Sequence, residues 1–293
     1  YSCINCIRTL PFLRERQDKY GDKWLVILGV HAPEFQFEKL PGNVEKAVKK
    51  FQLSYAVAQD NNFDTRRAFN NKYRPAKYII DIDGNVRYTH FGEGSYEETE
   101  EVIQYLLKDI ISFEGDTILP ISEILPLTSG DNKGSKDTAI PWIEETDYSK
   151  IWTAETYLGT ERRETRRWNW AAAYIQYDPT SPQKELTNTR RLSGSRSSAA
   201  EYISLNESTK TDMHLSQGWS LFLNFEAKTA KLVMWTSDGK DVLVDIYIDG
   251  KMMQTLTVNA HELYTVFASE EYARRTIELR FQSSGVQAYA FTL

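Results

Sequence analysis

The spacing of apolar residues changes character once along this chain, and that change limits the possible folds more than any other feature. Up to about residue 112, helical and strand patterns alternate. Ile7, Leu10 and Leu13 fall at helical spacing in a segment that runs to Tyr20, with Gly21 as its stop. Trp24 to Val30 is an apolar run suited to a buried strand. A helix over Asn43 to Phe51, a strand near Tyr55 to Ala58, a helix over Thr65 to Asn71 and a strand over Ala76 to Ile82 follow. Asp83-Gly84 turns the chain into Val86 to Phe91, and Tyr96 to Ile111 closes as an amphipathic helix. Such alternation predicts a layered α/β domain.

Beyond residue 147 the strand signals come close together. Ser220 to Ala227, Ala230 to Thr236, Val242 to Ile248, Met252 to Val258, Thr276 to Phe281 and Val286 to Leu293 read as strands, with Asp249-Gly250 as a hairpin turn. Short strands separated by turn signals predict an all-β sandwich or jelly roll. Between the two patterns, residues 113–146 hold Pro120, Pro126, Gly130, Gly134 and Pro141 among polar residues, which reads as an interdomain linker. The expected organisation is therefore an α/β domain over 1–112, a linker over 113–146 and a β domain over 147–293.

Charge follows the same division. The formal net charge is -6, but residues 1–112 carry 16 basic and 16 acidic side chains, whereas 113–146 carry 2 and 7. The acidity is mostly linker, and neither flank has the clustered cationic footprint of a nucleic-acid binder. No apolar run reaches the length of about 18–20 residues needed to span a bilayer. The chain opens at Tyr1 with no signal-like stretch, and it reads as part of something longer.

Two cysteines in 293 residues exclude a disulfide framework and a four-cysteine zinc site. Their position gives them another meaning. Cys3-Ile4-Asn5-Cys6 stands at the head of the first helical pattern, where unpaired backbone N–H groups and the helix dipole favour a thiolate. Cys3 then reads as a nucleophile toward a substrate disulfide, and Cys6, one turn on, as the thiol that resolves the mixed disulfide. Half a zinc site or two unrelated buried thiols are the plainer readings. Zinc would need two further ligands, and His31, His90, His214 and His261 lack a paired spacing. No metal, nucleotide or other cofactor motif appears, and there is no hydrolase nucleophile elbow.

Pro11 inside the first helix and Pro75 directly before the Ala76 strand complete a pattern similar to the thioredoxin-like proteins. That resemblance implies that Pro75 is a cis-proline packed against the cysteine pair, and that the backbone of Arg74 pairs with a substrate peptide. Ser2 to Cys6, Gly29-Val30-His31-Ala32-Pro33-Glu34-Phe35, Arg67 to Asn71, Phe91-Gly92-Glu93-Gly94 and the terminal Gly285 to Phe291 together resemble the DipZ-type proteins. In those, a thioredoxin-like domain of the TlpA/redoxin kind follows a membrane domain that carries electrons.

The resemblance implies an extracytoplasmic thiol-disulfide oxidoreductase that acts on protein disulfides, is recharged by the membrane carrier, and ends in a carbohydrate-binding-module-like sandwich. It also implies that the strand leading into the cysteine helix lies before Tyr1. Disulfide oxidation or isomerisation, or a glycan-binding module with a vestigial redox domain, are the alternatives. At the end of the Trp24 strand, Glu34 or His31 could move the proton as Cys6 becomes a nucleophile. Trp142, Trp152, Trp168, Trp170, Trp219 and Trp235 lie beyond residue 140; most suit a sandwich core, and Trp168-Asn169-Trp170 beside Arg162, Arg163, Arg166 and Arg167 best suits a sugar platform for a cell-envelope glycan.

Overall fold

A computed structural model describes residues 1–113, 155–161, 190–193, 196–205 and 219–293. The chain forms two compact units, Tyr1–Thr146 and Asp147–Leu293. Most of the linker stretch lies outside the described residues, as do Trp142, Trp152, Trp168, Trp170 and the four neighbouring arginines.

The first unit is built around helix α1, Ile4–Tyr20. Ile4, Ile7, Arg8, Pro11, Phe12, Arg16 and Tyr20 recur along its buried stripe. The helix runs on through Pro11, which has no N–H to offer the Ile7 carbonyl one turn back. Strand β1, Leu28–His31, pairs in parallel with β2, Ala56–Gln59, and helix α2, Pro41–Lys50, connects them. A short helix α3, Asp64–Ala68, leads toward β3, Ala76–Ile80, which pairs antiparallel with β4, Val86–Phe91. Helix α4, Tyr96–Phe113, ends the described part of the unit.

Tyr20 of α1, Ile103 and Leu107 of α4, Leu25 and Ile79 of β3 form one apolar cluster. A buried polar network lies beside it. Glu100 accepts from Lys19 Nζ at 2.6 Å and from the Tyr20 hydroxyl at 2.7 Å, and its other oxygen lies 3.5 Å from Arg16. Burying that carboxylate is tolerable only because each oxygen has a donor or cation against it. The network fixes the cysteine helix to α4.

Strand β1 is shorter than the predicted Trp24 to Val30. Trp24 adopts a positive φ of 70°, and residues 24–27 make no strand ladder. The β1–β2 and β3–β4 pairs are separate two-stranded sheets among the described residues. Apolar side chains are exposed in and beside these strands: Val26, before β1, is 86% exposed, Ile82, beyond β3, 72%, and Leu28 of β1 59%.

Among the described residues, the second unit contains one nine-stranded sheet with antiparallel pairing. Its central path joins β11 (Lys251–Val258), β10 (Val242–Ile248), β12 (Glu262–Phe281), β9 (Trp219–Thr236), β13 (Val286–Thr292), β8 (Ile203–Leu205) and β7 (Arg196–Ser198). Strand β5, Thr156–Tyr157, joins β13, and β6, Arg190–Ser193, joins β9.

The sequence pattern reads β9 as two strands because its buried residues change parity. Leu221, Leu223, Phe225 and Ala227 are buried, then Ala230, Leu232 and Met234. A register shift against β12 near Ala268/Ala273 absorbs the offset, so both halves face one core. Asp249 and Gly250, with φ of 50° and 81°, form the expected tight turn between β10 and β11.

Candidate active site

Cys3 is the N-cap of α1, in extended conformation, and its carbonyl accepts from Ile7 N at 3.0 Å. Both cysteines are free thiols and half-buried. The two sulfurs share a hydrogen bond, and it divides them chemically. Donation from Cys6 lowers the Cys3 pKa against the opposing effect of burial, whereas the same bond, with burial, raises Cys6 well above the ordinary thiol value. Cys3 is thus the more acidic thiol of the pair.

Glu34 is the carboxylate that faces the pair: its charge opposes ionisation of both thiols. It also lies 4.0 Å from the Arg74 guanidinium. Arg74 folds back to donate to the Pro33 carbonyl at 3.1 Å, which leaves its side chain against the 33–34 loop. The Arg74–Pro75 bond is cis, and the Pro75 carbonyl accepts from Gly92 N at 2.9 Å. Gly92 has a φ of 91°, a left-handed backbone conformation that glycine adopts without strain. His31 is differently employed. Its Nε2 lies 3.1 Å from the Glu38 main-chain carbonyl, so Nε2 donates, and burial foremost lowers its pKa. Electrostatic coupling joins Glu34 to Cys3 and Cys6, and Arg74 pairs with Glu34 beside the cis bond to Pro75, while His31 stacks on Tyr1 at 5.6 Å and is held by the Glu38 carbonyl.

Two residues escaped the sequence reading. Arg8, buried on α1, donates to Asn5 Oδ1 at 3.4 Å and lies 3.7 Å from Glu93, so it links the residue between the cysteines to the Gly92–Gly94 loop. Glu38, on a single 3-10 turn at Gln36–Lys39, is 1% exposed and accepts hydrogen bonds from both sides of the site. A charged residue between Phe37 and Lys39 at the end of an aromatic run was the available signal. Among the described residues, no three His, Cys, Asp or Glu side chains cluster to hold a metal.

Two thiols at the N-terminal end of a helix, beside a cis X-Pro bond, form an arrangement suited to thiol-disulfide exchange. Comparison with known proteins narrows it. Protein DipZ of Mycobacterium tuberculosis and of Mycobacterium bovis are each 47% identical over 109 residues, covering 37% of this chain and 16% of the relative. Thiol-disulfide oxidoreductase YkuV of Bacillus subtilis is 27% identical over 108 residues, 37% of this chain and 72% of that protein. The solution structure of a thioredoxin-like protein in the oxidized form shares 27% identity over 37% of this chain and 73% of its own, with a TM-score of 0.35. Residues 153–293 match the family described as thioredoxin like C-terminal domain. The chain is similar to the DipZ proteins over 109 residues and spans about a sixth of the length of those relatives.

Proposed function

We propose that the chain reduces disulfides of extracytoplasmic proteins through the Cys3–Cys6 dithiol. The observation that carries this reading is the unequal thiol pair at the head of α1, one sulfur favoured as thiolate and the other as thiol. The Cys3 thiolate attacks one sulfur of the substrate disulfide, breaking that bond, forming a mixed disulfide and expelling the other substrate sulfur as a thiolate. Glu34 then takes the proton of Cys6. The new Cys6 thiolate attacks Cys3 Sγ, closing the Cys3–Cys6 disulfide and releasing the second substrate sulfur. Two electrons pass to the substrate, and a membrane electron carrier, by resemblance, returns two electrons to the pair. Arg74 and Pro75 present the main chain against which the substrate peptide lies. Among proton carriers, the charge of Glu34 on both thiols favours it over His31.

The exposed Val26, Leu28 and Ile82 support a further element of this reading: an additional strand from the longer protein joins β1 and β3 into one sheet. Residues 113–146 serve as the connection to the second unit. The antiparallel sheet of that unit supports a sandwich of jelly-roll type. Carbohydrate recognition there is favoured by one described aromatic pair, Trp235 stacked on His261 at 3.9 Å, and glycan-array binding that Trp235→Ala abolishes is the expected result.

The test of the redox reading is insulin-disulfide reduction with a chemical reductant as electron source. Cys3→Ser is expected to abolish turnover, and Cys6→Ser to accumulate a mixed disulfide visible by intact mass. Full activity of Cys3→Ser would contradict the assignment.

A further inference from the structure

We infer that Glu38 is a positioning residue for the dithiol, a carboxylate that ties the residue in front of the nucleophile to the loop carrying Glu34. The inference rests on the redox reading above for its functional meaning, though not for its geometry. Each carboxylate oxygen serves one side. Oε1 accepts from Ser2 Oγ at 2.8 Å, Ser2 N at 3.1 Å and Tyr1 N at 3.2 Å. Oε2 accepts from Glu34 N and from Phe35 N at 3.3 Å. The bridge therefore links residues 36 positions apart in sequence, and it ends at Ser2, the residue before Cys3, on one side and at Glu34 on the other.

A buried carboxylate with this many donors is a rigid tie, because losing any one side leaves charge or N–H groups unsatisfied. The donors outweigh burial, and Glu38 stays ionised, with its pKa lowered to about 2. The consequence is local. Glu34 sits close to two thiols whose ionisation its charge opposes, in a loop whose first two N–H groups are held by Glu38. Release of the tie lets the loop drift, and the electrostatic hold of Glu34 on the thiols weakens.

This can be read without any enzymatic assay. In the 293-residue chain, iodoacetamide labelling of Cys3 followed by mass spectrometry across pH 5–10 gives the midpoint of its ionisation. The charged groups facing the thiols are Glu34 and, in the chain as it begins at Tyr1, the Tyr1 ammonium; His31 stacks on the Tyr1 ring at 5.6 Å and lies against Glu38. Glu34→Gln is expected to lower the midpoint in the parent chain and to speed Cys3 labelling at pH 7 about threefold. In the Glu38→Gln background, where an amide N–H₂ confronts one set of donors, the same substitution is expected to change labelling by less than about 1.5-fold.

An unchanged threefold effect in that background would overturn the proposal, since a merely structural role of Glu38 alters melting and not the coupling. Should Glu38→Gln fail to fold, Ser2→Ala removes one tie without stranding a charge. It is expected to reduce the Glu34 effect, and an undiminished effect there would equally overturn the inference. Failure of the reductase reading would show itself separately, as Cys3→Ser retaining turnover while the labelling coupling persists.

Discussion

The two units bury their apolar residues to different degrees. In the second, strands β9 and β12 run side by side through two register shifts, and Phe225, Leu232, Ile246, Leu279 and Phe291 close into one core with essentially no exposed surface. In the first, the described strands form two separate pairs with valine, leucine and isoleucine exposed in or beside them, while the charged Arg16, Glu38 and Glu100 are enclosed as thoroughly as Ile7 and Tyr20. The difference teaches where each unit keeps its specificity. The β domain is held by continuous non-polar contact, and the dithiol domain by a few buried ionic ties around helix α1 and the loop facing its cysteines.

That contrast can be broken most strongly in the β core. Phe225→Ala is expected to destabilise the second unit by about 3–5 kcal/mol in urea unfolding while leaving Cys3 labelling unchanged. A comparable loss in the first unit would mean the two cores are not independent.

Acid should act on the other unit first. The folded pKa of Glu38, about 2, lies below the ordinary value of 4.5, so its stabilisation is complete above pH 4.5 and is lost as pH falls toward 2. Between pH 5 and 2.5 the first unit should lose roughly 2 kcal/mol that a Glu38→Gln variant does not lose. Equal acid sensitivity of parent and variant, by denaturant titration, would remove Glu38 from the account.

The smallest effect belongs to the exposed apolar residues beside the strands. Val26→Thr, at a site with little to pack against, is expected to shift stability by less than about 0.5 kcal/mol. A loss above 1 kcal/mol would show that this face is already covered in the isolated chain.

The features legible in the sequence were the local ones. Cys3 and Cys6 share one helical turn, Val86–Phe91 and Val242–Ile248 keep strict strand patterns, and Asp249-Gly250 has turn chemistry in two residues. Glu38 was hidden because what matters about it lies 36 residues away at Ser2, and no spacing rule links the two. Strand β12 was read only from Thr276 onward. Its first half carries Ser269, Glu270 and Glu271 at the register shift, which interrupts the alternation that periodicity depends on. The Trp24 strand was overestimated for the opposite reason: its apolar residues persist where ladder pairing has stopped.

The central claim is that one shared hydrogen bond makes two neighbouring thiols unequal. Competitive labelling of the reduced chain at pH 7 with substoichiometric iodoacetamide, resolved by peptide mass spectrometry, measures this directly. Cys3 is expected to be labelled at least about tenfold faster than Cys6; equal labelling, or Cys6 ahead of Cys3, would contradict it.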